Sequence, residues 1–175
     1  MCNSSFSKRH YSLRAFGRDA WDIFVHLPEV LSALVSRRIS RDFAERLMLT
    51  ASHVNDCRYC SYFHSRLALY SGLTHAQILD LFRQDYGRVP DNQLVGLTFA
   101  QRFTETRLSR TLEPAAVSRL EEYYGAQASR DIINLLRLIN AANLAGNSVD
   151  AFLCRWRGYP SPAGHPVSEL VLFLL

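Results

Sequence analysis

Asn55-Asp56-Cys57-Arg58-Tyr59-Cys60-Ser61-Tyr62-Phe63-His64 holds two of the chain's four cysteines three residues apart, with a histidine four residues later. Read as the opening turns of a helix, the run places Cys57, Cys60 and His64 at i, i+3 and i+7 along one face. Asn55 and Asp56 are both N-cap residue types, so the cysteines are predicted in the first turn. The partial positive charge of a helix N-terminus favours thiolate, the reactive form of cysteine. His64 lies one turn from Cys60 and two from Cys57, the latter about 10 Å along the axis, so the imidazole serves Cys60 first.

The helical pattern continues on both sides of this run. Upstream, Trp21, Phe24, Val25, Val30, Leu31 and Leu34 predict two short helices or one kinked at Pro28. Ser40 is placed to cap the next helix, with Phe43, Leu47, Ala51 and Val54 as its apolar stripe. Downstream, Phe63, Leu67 and Tyr70 form an apolar line ending at Gly72, a residue suited to a left-handed C-terminal position. Thr74 and Gln77 form a capping box, Asp91 is predicted to cap a helix through Phe103, and a loop near Ser109 to Leu112 precedes Pro114. Ile132, Ile133, Leu135, Leu136, Leu138, Ile139 and Leu144 surround most of a helix over 129–144. That helix is predicted at the centre of the bundle or in a subunit contact. Gly146 is predicted to weaken or break it before a last helix through Trp156. With neither period-two alternation nor a long-period repeat, the fold is expected to be all-α.

At 175 residues the chain is long enough for one domain with a self-sufficient core. The expected divisions are a basic, flexible arm over 1–18, a helical domain over 19–157, and a turn with an apolar tail over 158–175. The net charge of +4 is carried by scattered arginines, with Lys8 the only lysine, which argues against nucleic acid as a partner. Val167–Leu175 is apolar but too short to span a bilayer, so no membrane association is expected. Cysteine usage and the lack of a signal-peptide run point to a reduced, cytoplasmic setting. The Ser-rich, acid-free stretch 1–18 also has the composition of an organellar transit peptide.

Three chemistries suit a CxxC: a redox dithiol, half of a zinc site, or chance. His53, Cys57, Cys60 and His64 have the ligand types of a Cys2His2 zinc site. On one continuous helix, however, the two histidines would stand roughly 16 Å apart along the axis, too far to share an ion, so a break at Asn55-Asp56 would be needed. A redox pair requires only two thiols one turn apart and a neighbouring acid-base group.

The arrangement Glu45, Cys57-Arg58-Tyr59-Cys60 and His64, followed by an apolar helix and Gly72-Leu73-Thr74, resembles the alkylhydroperoxidase D-like (AhpD-like) branch of the carboxymuconolactone decarboxylase family. The Glu-x11-Cys-x2-Cys-x3-His spacing is more specific than CxxC alone, and the likeness is clearest from Arg37 to Leu81. It implies a single-domain all-α bundle that assembles into homo-oligomers, needs no cofactor or metal, and reduces hydroperoxides or partner disulfides at the expense of an external dithiol or redox protein. It implies Cys60 as the peroxide-attacking thiolate, Cys57 as the resolving thiol, and His64 with Glu45 as the proton relay. The helix N-terminus argues for thiolate at Cys57, so Cys57 is assigned the exchange with the external dithiol and Cys60 the peroxide step. Best-known members carry a second histidine between the cysteines; Tyr59 stands there, a poor base at neutral pH but a possible hydrogen-bond donor. The competing expectations are a non-enzymatic interaction protein whose CxxC is structural or zinc-bound, and a lactone decarboxylase-like enzyme.

Taken alone, Glu45 reads as a surface partner of Arg41, Cys154 as a core thiol, and Cys2 as an arm residue without a role. Asn140, Asn143 and Asn147, at i, i+3 and i+7, read as satisfying local hydrogen bonds. The apolar 129–144 helix and the apolar tail together motivate the expectation of an oligomer.

Overall fold

Phe43, Leu47 and Ala51, three of the four residues of the expected stripe, are buried on α3 (Arg41–Val54), one of the two helices against which most of the others pack. The computed structural model describes residues 6–106 and 113–174, and the expected loop at Ser109 to Leu112 lies outside them. Among the described residues the chain is all-α. Besides α3 it comprises α1 (Leu13–Val25), α2 (Leu27–Val35), α4 (Arg58–Tyr70), α5 (His75–Phe82), α6 (Asp91–Glu105), α7 (Pro114–Trp156) and α8 (Pro166–Leu174). No described helix is long and apolar enough to cross a membrane.

Local signals set several boundaries. Ser12 caps α1 through a bond from the Ala15 amide, and Pro28 occupies the first turn of α2. Gly72 adopts a φ of 102° beyond α4, and the Thr74–Gln77 capping box is formed in both directions. Asp91 is the first residue of α6, and Pro90 holds the cap position expected for it.

The longest element is α7. At Gly125 (φ 78°, ψ 160°) the chain leaves helical geometry for one residue, which an L side chain would resist, and then resumes. Leu120, Ile132, Leu135, Leu136 and Ile139 are buried here and pack into one core with Leu47, Leu49 and Ala51 of α3 and Leu97 and Ala100 of α6. The helix expected to stop near Gly146 runs unbroken to Trp156. Burial along its length and a close contact described below outweigh the roughly 1 kcal/mol of helix propensity that a glycine forfeits.

One expectation about surfaces changes, and the 129–144 helix takes the first of its two expected places, the centre of the bundle. Phe63 and Tyr70 are 58% and 82% exposed, and α4 instead buries His64 and Ala68. The apolar 129–144 helix is buried within its own chain, while α1 and α2 expose Trp21, Phe24, Leu31 and Leu34. The C-terminal helix α8 packs on α7, with Phe173 stacked on Phe152 and the fully buried Glu169 paired to Arg155 through two hydrogen bonds.

Residues 6–12, expected within a flexible arm, lie as a strap along α7, and the boundary expected at residue 19 falls inside α1. The Tyr11 amide donates to Ser148 Oγ at 3.0 Å, the Asn147 amide donates to the Arg9 carbonyl at 2.9 Å, and Tyr11 is almost wholly buried. Buried apolar contacts hold this strap; its basic composition alone did not show them. Cys154 packs beside Phe6 and Ala151 and is disulfide-bonded, a correction to its reading as a core thiol; Cys2 lies outside the described residues.

Candidate active site

The CxxC sits where α3 ends and α4 begins. Asn55 closes α3, Asp56 takes a φ of 51°, and Cys57 itself is the N-cap of α4, in place of the expected Asn55 or Asp56. Its sulfur therefore does what a serine oxygen does at such a position, accepting from the Cys60 amide at 3.4 Å. Asp56 turns the chain in the left-handed region, which asparagine and aspartate tolerate better than most residues.

This turn is tethered to α7 by the asparagine stripe. Ser52 donates to Asn143 Oδ1 at 3.0 Å, and Asn55 Nδ2 donates to Asn140 Oδ1 at 2.8 Å. Asn147 Nδ2 is shared between the carbonyls of Asn55 and Arg9, so one amide ties the strap and the turn together. All three asparagines are fully buried; Asn140 Nδ2 also makes an expected local bond, to the Leu136 carbonyl one turn back, but each of the three bonds a partner far away in sequence. Directly beneath, Gly146 allows α7 to approach: a Cβ there would stand 3.0 Å from Cys57 Sγ and 3.4 Å from Tyr59 Cδ2.

The two sulfurs lie 2.8 Å apart as free cysteines, a separation at which they share a hydrogen. The Cys57 thiol is held below the ordinary cysteine value, chiefly by the hydrogen bond with Cys60. The amides of Cys60 and Tyr59 and the charge of Lys8 add to this against the opposing effect of burial. The Cys60 thiol is driven far upward by its bond to Cys57, by burial, and by the charge Cys57 carries. The pair thus releases one proton readily and keeps the other, with the anion resting on Cys57 and Cys60 donating to it. Access runs the other way: Cys57 is fully buried and Cys60 partly exposed.

Glu45 and His64 are brought together from α3 and α4, with Nδ1 of the imidazole 2.8 Å from Oε2. Both side chains are nearly buried, and Glu45 is not the surface partner of Arg41 that its sequence context alone suggests. An ionised Glu45 requires the hydrogen on Nδ1, which leaves Nε2 as the basic nitrogen on the helix that also carries Cys60. The four expected site residues thus form two pairs, Cys57–Cys60 at the start of α4 and Glu45–His64 between α3 and α4. His53 instead packs its ring on Phe82, and among the described residues no three His, Cys, Asp or Glu side chains are grouped to hold a metal ion.

Tyr59 does not take the role of a second base. Its hydroxyl donates to Asp150 Oδ1 at 2.8 Å, Arg58 donates to the same oxygen at 2.6 Å, and burial pushes the phenol upward.

Residues 24–88 match the carboxymuconolactone decarboxylase family. The matched segment covers α2 to α5, just over a third of the chain, and contains Glu45, Cys57, Cys60 and His64. No curated protein and no solved structure matches the chain. The strap and α7, which supply Lys8, Asn140, Asn143, Gly146, Asn147 and Asp150, lie outside the matched residues. These are the site residues that sequence reasoning missed as such; the only signal was the spacing of three asparagines on a helix apolar around most of its circumference.

Proposed function

We propose that the protein is a thiol-dependent peroxidase and disulfide oxidoreductase of the AhpD-like kind. The observation that carries this reading is the pair of free sulfurs at 2.8 Å, poised to lose one proton, on the helix that holds the His64–Glu45 pair. Within the family, a lactone decarboxylase-like activity has no use for such a dithiol.

The proposed cycle begins with transfer of the Cys60 proton to His64, leaving the accessible sulfur anionic while Cys57 stays a thiolate. Cys60 thiolate attacks the distal oxygen of a hydroperoxide, the O–O bond breaks, and the alkoxide takes a proton from His64 to leave as an alcohol. Cys60 becomes a sulfenic acid. The Cys57 thiolate attacks that sulfur, forming the Cys57–Cys60 disulfide and releasing hydroxide, which leaves as water once protonated. An external dithiol then exchanges with the disulfide, entering at the partly exposed Cys60 and not at Cys57, whose burial corrects the expectation that it meets the external dithiol, and carries away the two oxidising equivalents as its own disulfide. Glu45 holds the imidazole through both proton transfers.

The test is substitution with trapping. Cys60→Ser is expected to abolish peroxide consumption, and Cys57→Ser to leave a sulfenic acid on Cys60 that a dimedone-type reagent captures. His64→Ala and Glu45→Gln should each slow turnover by about 10²–10⁴-fold and about tenfold or more respectively, with the pH profile displaced upward. Label appearing on Cys57 in the Cys60→Ser protein would reverse the two roles. Peroxide turnover that survives loss of both thiols would end the redox reading.

A further inference from the structure

The only lysine in the chain lies on the strap beside the dithiol. Lys8 Nζ donates to the Asp56 carbonyl at 2.9 Å and stands 3.4 Å from Asp56 Oδ2 and 3.6 Å from Asp150 Oδ2. One ammonium thus holds the residue immediately before Cys57 and a carboxylate from α7. The Asp150 carboxylate is nearly buried between Lys8 on one oxygen and Arg58 and Tyr59 on the other.

The charges around Cys57 come from four elements. The strap contributes Lys8, the turn Asp56, α4 Arg58 together with the titratable Tyr59, Cys60 and His64, and α7 Asp150; Glu45 of α3 faces His64. Lys8 and Arg58 balance Asp56 and Asp150. Without Lys8 the group nearest the CxxC carries one uncompensated negative charge, in a part of the protein where Asp150 and Cys57 are shielded from solvent. A like charge disfavours the anion of a neighbouring acid.

We propose that Lys8 is a positioning residue for the dithiol, its ammonium supplying the positive charge that offsets Asp56 and Asp150 and so favours the anionic sulfur of Cys57. A compact ammonium with three rotatable donors suits three oxygens that do not lie in one plane, a task for which the flat fork of arginine is less adapted. The strap is anchored independently of this contact, since Arg9 reaches the Thr104 carbonyl and Tyr11 the Ser148 hydroxyl. Lys8 can therefore be exchanged without undocking its neighbours. The proposal rests on the dithiol reading to the extent that Cys57 is a free thiol in the reduced protein.

The experiment reads ionisation without peroxide, so it succeeds or fails separately from the peroxidase assignment. The reduced full chain, labelled with ¹³C at cysteine Cβ and assigned with Cys57→Ser, is titrated by NMR. Lys8→Met is expected to raise the midpoint of the first thiol ionisation by about 0.5–1 pH unit, a three- to tenfold loss of thiolate below that midpoint. Lys8→Arg keeps the charge and is expected to retain most of the native midpoint. Lys8→Met combined with Asp150→Asn removes one charge of each sign and should return the midpoint towards the native value, a restoration that a purely structural lysine would not produce. The double variant also serves if the single one folds poorly. An unchanged midpoint in Lys8→Met, equal upward shifts in Lys8→Met and Lys8→Arg, or a double variant that stays at the Lys8→Met value would each overturn the proposal.

Discussion

Asn147→Ala removes one buried amide and, with it, a side chain that bonds the strap and the CxxC turn at once. Its Nδ2 donates at 2.8 Å to the carbonyl of Asn55, a buried residue, and at 2.9 Å to that of Arg9, which is part-buried. A buried carbonyl left without a partner costs about 1–3 kcal/mol, and a partly hydrated one falls at the lower end. Asn147 Oδ1 has no hydrogen-bond partner, so its removal relieves a penalty of about 1 kcal/mol. The net loss is about 2 kcal/mol. For a chain of this size that corresponds to a melting temperature about 4–8 °C lower. Urea unfolding at fixed pH gives the stability directly. Amide exchange then locates the damage, because the Tyr11 amide, bonded to Ser148, and the Cys57 amide, bonded to the Ser52 carbonyl, should both lose protection. A melting temperature within a degree of the native value, or faster exchange at one of these amides with the other unaffected, would show that Asn147 is not the joint described above.

Thiol linkage gives the reduced protein a stability that depends on pH. Cys57 titrates below the unfolded thiol value of about 8.5, so its contribution is lost as pH falls through the native midpoint and is complete above 8.5. Cys60 titrates above that value, so its contribution falls as pH rises beyond 8.5. Relative to a variant with both cysteines replaced by serine, the urea midpoint should therefore rise to about pH 8.5 and decline after it; a flat difference would contradict the assigned shifts. Gly146→Ala places a methyl against Cys57 Sγ while adding about 1 kcal/mol of helix propensity. Its stability should change by less than about 1 kcal/mol, yet disulfide formation after a peroxide pulse, followed by free-thiol titration, should slow several-fold. Exposed apolar side chains on α1 and α2, including Trp21, Phe24 and Leu31, are expected to be covered by association of subunits. Sedimentation at micromolar concentration checks this, and a monomer at all concentrations would refute it.

What was legible in the sequence is what is decided within a turn or two. The left-handed Gly72, the Thr74–Gln77 box and the proline opening α7 follow from backbone chemistry over three or four residues. The Glu45–His64 contact was reached only through family spacing; on residue chemistry alone Glu45 belonged with Arg41. Distant contacts were not legible. Phe63 and Tyr70 have the spacing of a core line, but a period of 3.6 defines a face without saying which face turns inward, and His64 and Ala68 take the buried side. Gly146 carries an intrinsic penalty that reads as a helix break, whereas its use against Cys57 depends on a fold-wide approach. Asp150 and Lys8 look like ordinary surface charges until α7 and the strap bring them to one place.

The strap also dictates when the dithiol acquires its surroundings. Asn147 and Arg9 meet across 138 residues of chain, and Lys8 finds Asp150 across a similar interval. Segments so far apart pair late, because the intervening loop must first be closed at a cost in chain entropy. On a ribosome the CxxC emerges well before α7, at a stage when Cys57 has neither Gly146 beneath it nor Asp150 to hold Lys8 in place. A nascent chain halted before residue 146 would lack both the Gly146 contact and the Lys8–Asp150 pair beside its CxxC. The surroundings of this site are thus completed only once α7 has been made, after the helices of the matched segment.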